Sequence, residues 1–142
     1  MMEISREADY AVRAVLELAT HEKGVRLSSA EIADRQEIPA PFLTKILTRL
    51  ASAGIVSTYR GVNGGVILSR AAGEISLLEV VEAIEGPISL NRCQRHPDLC
   101  PRECDCAIHP AWGLLRGQLR NSMDEVKFST LASVTARSST AH

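Results

Sequence analysis

All four cysteines of this 142-residue chain fall within Arg92 to Trp112, which reads RCQRHPDLCPRECDCAIHPAW. They are Cys93, Cys100, Cys104 and Cys106, and His109 follows shortly after the last. Sulfur and imidazole donors at this density point to a soft metal centre or to thiol chemistry. Pro97 and Pro101 interrupt the run, and no strand or amphipathic helix pattern passes through the cysteines, so a loop is expected. Four-coordinate zinc is open to Cys and His ligands, although gaps of six, three and one residues between successive cysteines are unlike a zinc finger. A disulfide from Cys104 to Cys106 or Cys100 would instead make the loop a thiol switch. No Ser/His/Asp constellation or carboxylate pair emerges, so an enzyme is not expected.

Composition sets the frame for that loop. Hydrophobic residues make up 45% and charged residues 23%, ordinary for a globular chain able to bury a core. The first ten residues carry Glu3, Arg6, Glu7 and Asp9 with no apolar run behind them, and no apolar stretch is long enough to span a bilayer. A reducing cytoplasm is the expected address, where clustered cysteines serve as ligands or redox thiols more often than as structural disulfides. The net charge is only −1, but its distribution is uneven. From Ile38 to Gly73 the chain holds Lys45, Arg49, Arg60 and Arg70 and no acid. A cationic stretch in an otherwise acidic chain is a footprint for a polyanion.

The elements in that stretch have a recognisable order. Ser5 to about Glu22 reads as a helix with Ala8, Val12, Val15, Leu16 and Ala19 near one face. Ser28-Ser29-Ala30-Glu31 is a capping box opening a short helix to about Gln36 that buries Ile32 and Ala33. Ile38 to Pro41 makes the turn, and the next helix runs to about Ala53, where Gly54 supplies a left-handed stop. Leu43, Ile46, Leu47 and Leu50 take its core face. Pro41, Thr44, Lys45, Thr48 and Ser52 take the opposite face, where hydroxyls and a cation suit a groove of base edges and phosphates. Two β-branched runs, Ile55 to Tyr59 and Val66 to Leu68, flank Arg60-Gly61-Val62-Asn63-Gly64-Gly65 as a hairpin. The expected fold is therefore mainly α with a small β-wing, a winged helix-turn-helix that reads the major groove with its helix. Thr44, Lys45, Thr48 and Arg60 are the expected DNA contacts, with Lys45 and Arg49 on phosphates and Arg60 in the minor groove; Ser28, Pro41 and Gly61 complete the set.

A second capping box, Ser76-Leu77-Leu78-Glu79, opens a helix through Ile84 that Gly86-Pro87 closes. Pro110 restarts a helix after the cysteine loop, with Trp112, Leu115, Leu119, Met123 and Val126 on one apolar seam. A DNA reader needs two heads for two half-sites, which favours a dimer along this seam. The expected organisation is residues 1–86 for DNA binding, 87–109 for the cysteine loop, 110–126 for the dimerisation helix and 127–142 for a return segment and tail. Lys127 to Val134 would dock, and Ala136 to His142 would be disordered.

Over nearly its whole length the chain resembles the Rrf-two family of winged-helix transcription regulators. Asp9-Tyr10-Ala11-Val12, Arg60-Gly61 with Gly64-Gly65, and the array Cys93, Cys100, Cys106, His109, Trp112 carry the resemblance. The Cys-x-x-His-x-x-Trp run at Cys106, His109 and Trp112 is similar to the IscR-like iron–sulfur branch. The resemblance implies a homodimer on palindromic double-stranded DNA, with affinity set by a cluster that senses iron–sulfur status, redox state or nitric oxide. It also implies Cys93, Cys100, Cys106 and His109 as ligands of a 2Fe–2S cluster. Relatives with 4Fe–4S use a first-helix Asp, whose counterpart is Asp9. The gap from Cys93 to Cys100 is one residue longer than in IscR-like members, and Cys104 is an additional thiol, so His109, Asp9 and Cys104 compete as fourth ligand. The same fold with zinc or a disulfide is the alternative. Thr44 stands where IscR-like members have a Glu, so a shared operator is not implied. The helix beginning at Pro110 turns its positive end to the loop, which favours thiolate at Cys106.

Overall fold

Residues 3–95 and 106–140 are described by a computed structural model. The first helix, α1, spans Arg6–Ala19, and the Ser5 side chain caps it by accepting from the Ala8 N–H at 3.1 Å. Ala8, Ala11, Ala14, Val15 and Leu18 are its buried line, while Val12, Leu16 and Ala19 sit at the margin. The burial is wider than a single stripe because α1 is central to the body. It packs against α2 (Ser29–Gln36), α3 (Ala40–Ser52), α4 (Leu77–Glu85) and α7 (Phe128–Thr140). Its alanines permit those close approaches.

Both arms of the Ser28–Glu31 capping box form, and α2 ends on Glu37 in the left-handed region at φ 54°. Pro41 occupies the first turn of α3, Leu43, Ile46, Leu47 and Leu50 are buried, and Gly54 follows at φ 76°. Strands β1 (Val56–Tyr59) and β2 (Gly65–Leu68) form the wing as an antiparallel pair, Val56 opposite Leu68 and Tyr59 opposite Gly65. Gly64 has no room for a side chain: a Cβ there would come under 3.0 Å from the Tyr59 and Gly61 carbonyl oxygens. Leu27 extends the sheet by exchanging two backbone hydrogen bonds with Val66, at 3.1 and 2.7 Å. That pairing lies outside any local pattern and ties the start of α2 to the wing.

The second capping box is only half made. Ser76 accepts from the Glu79 N–H at 3.2 Å, but the Glu79 carboxylate turns away to Arg70 instead of returning to the cap. A charged partner is the stronger attraction, and Ser76 itself is buried, its backbone paired across to Lys127. A short helical turn, α5 (Arg92–Arg95), carries Cys93, so the cysteine segment begins on a helix where a plain loop was expected. The next helix, α6, spans His109–Glu125 and starts one residue earlier than Pro110 predicts, with His109 inside it.

Phe128, in the segment expected to dock, is fully buried in the same cluster as Ala8, Leu50 and Ile84, and Leu131 packs against it. Helix α7 then continues to Thr140, through the stretch expected to be disordered. It contains no Gly or Pro to break the helix, and the Ser133 and Thr135 hydroxyls donate back to the Ser129 and Leu131 carbonyls. His21 is half-buried, within 3.3 Å of Glu17 and 2.8 Å of Arg35. Among the described residues no helix is long and apolar enough to cross a membrane.

Phe128→Ala is expected to lower the unfolding free energy by about 3 to 5 kcal/mol, from lost burial and the cavity left beneath α1. Urea unfolding followed by circular dichroism measures it; a loss under about 1 kcal/mol would show that α7 is not part of the core.

Candidate nucleic-acid interface and cysteine site

The outward face of α3 carries Pro41, Thr44, Lys45, Thr48 and Arg49, all exposed. Burial of the leucine–isoleucine face fixes this side toward solvent. The hydroxyls are not free rotors. Thr44 donates to the Ala40 carbonyl at 3.1 Å, Thr48 to Thr44 at 3.0 Å and Ser52 to Thr48 at 3.0 Å. Ser28 is the opposite case. Its oxygen accepts from the Glu31 N–H at 3.1 Å, which leaves its own proton available to a phosphate oxygen.

Lys45 and Arg49 are not bare cations. Glu7, from α1, reaches both: Oε1 lies 3.4 Å from Lys45 Nζ and Oε2 lies 3.0 Å from Arg49. The acid-free composition of residues 38–73 gave no sign of this, because the acid comes from another helix. Exposed pairs of this kind are worth little, so phosphates can replace Glu7 at small cost. Glu7 nevertheless holds both side chains on the flank of α3 nearest α1.

At the wing, Arg60 and Gly61 are exposed, Gly61 at φ 97°, and Arg60 has no hydrogen-bond or ionic partner among the described residues. Arg26 is a basic neighbour that sequence patterning does not single out. Its guanidinium lies 4.2 Å from the centre of the Tyr59 ring and donates to the Asn63 carbonyl at 2.5 Å. It braces the tip and adds a second cation to it. The only forward signal for Arg26 is its place beside Leu27.

The cysteine site is described in part. Cys93 and Cys106 are free, half-buried thiols. Cys100 and Cys104 lie outside the described residues. The α5 turn bearing Cys93 packs on α6, whose first residue is His109. His109 donates its backbone N–H to the Cys106 carbonyl at 3.3 Å, and its Nδ1 is buried with no hydrogen-bond partner among the described residues. A buried imidazole nitrogen left without a partner fits a ligand position. Among the described residues no three His, Cys, Asp or Glu side chains gather closely enough to hold a metal ion. Asp9 is elsewhere engaged: it is exposed on α1 and lies 3.4 Å from Arg13.

Both ends of this segment are tied to the body. The Ile88 N–H donates to Glu82 at 2.8 Å, and Arg116 donates to the Ile88 carbonyl. Glu82 also takes two bonds from Arg120, at 3.2 and 2.8 Å. One carboxylate of α4 thus fixes the start of the cysteine segment and α6 together. The Arg120 bonds hold the Glu82 carboxyl below the usual range; burial opposes them, and the Ile88 N–H adds to the lowering. On α6, no residue is fully buried. Trp112 and Met123 are half-buried, while Leu115 and Leu119 remain 46% and 39% exposed.

Comparison with known proteins bears on this arrangement. Residues 4–134 match the Rrf2 family, described as iron-dependent transcriptional regulators. A Mycobacterium tuberculosis chain with an HTH-type transcriptional-regulator name is 36% identical over 131 residues, covering 92% of this chain and 81% of that one. The transcriptional regulator IscR of Xenorhabdus nematophila is 31% identical over 130 residues, covering 92% and 79%. The structure of CymR, the global cysteine regulator of B. subtilis, superposes with a TM-score of 0.78 at 25% identity, covering 94% of this chain and 98% of that one.

A folded-state pKa below the unfolded value means stability that is present above about 4.5 and lost as pH falls through the folded pKa. Glu82→Gln is therefore expected to be less stable than the parent at neutral pH, with the gap closing as the medium is acidified. Thermal unfolding of both proteins across that range measures it; a gap independent of pH would remove Glu82 from the linkage.

Proposed function

Since the chain belongs to the Rrf2 family of transcriptional regulators, we propose that it binds a palindromic operator as a homodimer and that residues 93–109 set its affinity through an iron–sulfur cluster. The exposed face of α3, with its hydroxyls and cations beside a wing carrying Arg60 and Arg26, carries the DNA half of this reading. Lys45 and Arg49 exchange Glu7 for phosphates, Arg60 enters the minor groove, and Ser28 donates to the backbone. The uncovered apolar residues of α6, Trp112, Leu115, Leu119 and Met123, form the seam between the two copies.

The orphaned Nδ1 of His109 beside the Cys106 carbonyl carries the sensor half. Cys93, Cys100, Cys106 and His109 would hold a 2Fe–2S cluster. His109 is favoured as fourth ligand over Asp9, because Asp9 would have to leave Arg13 while His109 Nδ1 has no partner to leave among the described residues. The 4Fe–4S form with Asp9, and ligation by Cys104, are the other arrangements. When bound, such a cluster supplies a one-electron redox centre that oxidants, nitric oxide or iron shortage can remove. The chain's own part is mechanical. Ligation at residues 93–109 would act on Ile88, and through Ile88 on Glu82 of α4 and Arg116 of α6. Those two helices set the spacing between the two DNA-reading heads. A second reading rests on the free thiols Cys93 and Cys106, with Cys104 close by in sequence: the same loop as a thiol–disulfide switch.

Anaerobic purification is expected to give a coloured protein absorbing above about 400 nm, with about two irons and two sulfides per chain. His109→Ala should shift that spectrum, and cluster loss should change operator affinity. A colourless protein whose thiol count falls on oxidation would favour the disulfide reading and leave the DNA half standing. Separately, Lys45→Gln should weaken binding to all duplexes alike and reduce the salt slope by about one unit. Unchanged slope would take Lys45 off the phosphates.

A further inference from the structure

The geometry points to an acceptor-only reading face on α3: Thr44 and Thr48 select exocyclic amino groups in the major groove, and with them A·T pairs over guanine. This inference rests on the DNA-binding reading above and specifies what the helix reads.

A threonine hydroxyl has one proton and two lone pairs. In Thr44 and Thr48 the proton is already given to the carbonyl one turn back, at 3.1 and 3.0 Å. What faces outward is oxygen lone pairs and a methyl group. The major groove offers donors at only two places, adenine N6 and cytosine N4; guanine N7 and O6 and thymine O4 are acceptors. Two acceptors set against each other repel, so guanine and the thymine carbonyl are poor partners for this face. The methyl groups separate the remaining two, because thymine presents a C5-methyl and cytosine does not. An A·T pair satisfies both parts of a threonine with its amino group and its methyl.

The donors that would read guanine are drawn aside. Lys45 and Arg49 are the long cationic side chains of α3, and in the free protein Glu7 draws both to the flank toward α1, from which they pass to phosphates on binding. That places them over the backbone and leaves the hydroxyl row facing the bases. Thr44 and Thr48 stand one helical turn apart, about 6 Å along the axis, which covers roughly two base-pair steps. Turning a hydroxyl outward to donate is possible but forfeits its bond to the helix, which is the reason the preference has a direction.

The experiment is selection of the full-length protein on a random duplex pool, followed by base analogues in the selected half-site. A·T pairs should be enriched at two positions protected by α3. Replacing adenine there by purine, which lacks the N6 amino group, should cut affinity about 5- to 20-fold; deoxyuridine for thymine should cost less, about 2- to 5-fold. Thr48→Val keeps shape and methyl but lacks the acceptor, so it should lose the purine penalty at one position and keep the uracil penalty. Thr48→Ser should do the reverse, and thermal unfolding of both variants checks that they fold. Enrichment of guanine opposite α3, or a purine penalty unchanged in Thr48→Val, overturns the inference while leaving DNA binding intact. Failure to select any duplex would overturn the DNA-binding reading itself, and this inference with it.

Discussion

The backbone pairing of Ile75–Leu77 with Val126–Phe128 is the constraint on which the rest of this chain depends. The Leu77 N–H donates to the Val126 carbonyl at 2.8 Å, and the Phe128 N–H donates to the Ile75 carbonyl at 3.1 Å. Between these bonds Phe128 is driven into the core beside α1. That closure anchors the C-terminal end of α6, while Arg116 and Arg120 tie the middle of the helix to Ile88 and Glu82. α4, which carries Glu82, packs on both α3 and α6, so one core positions all three helices.

Two carboxylates distribute the charge of this arrangement, and they differ in how readily they let go. Glu7 pairs with Lys45 and Arg49 at the surface, where water screens the attraction and a phosphate offers an equivalent partner. Its effect is to direct the cations in the free protein. Glu82 is more enclosed and serves three donors: Arg120 twice and the Ile88 N–H. Breaking that set strands a partly buried charge, so it acts as a fixed joint. The molecule thus has an exchangeable pair at the nucleic-acid face and a fixed one where the cysteine segment meets the body.

Local signals made much of the architecture legible. The leucine–isoleucine spacing of α3, Gly54 after it, and the Ser28–Glu31 box each specify a backbone state from residues a turn apart, and each was found as read. The glycines between Tyr59 and Val66 identified the wing for the same reason: Gly64 admits no side chain and Gly61 has positive φ. The misreadings occurred where a distant partner outbid a local one. Glu79 left its cap for Arg70, and residues 136–140, expected to be disordered, continue α7 from a segment anchored by Phe128.

The donor types of the candidate site were likewise readable, since cysteine and histidine declare their chemistry wherever they stand. The sequence by itself therefore determined the fold class and the face of α3 that turns outward. Only the tertiary structure decided which charges meet. Glu7 finds Lys45 and Arg49 across separations of 38 and 42 residues, Arg120 finds Glu82 across 38, and Arg26 finds Tyr59 by stacking on its ring. Charged side chains on exposed helix faces follow no period that ties one helix to another. Their partners are fixed by how the apolar faces pack, and that packing places Glu7 beside α3 and His109 Nδ1 in a buried place without a partner among the described residues.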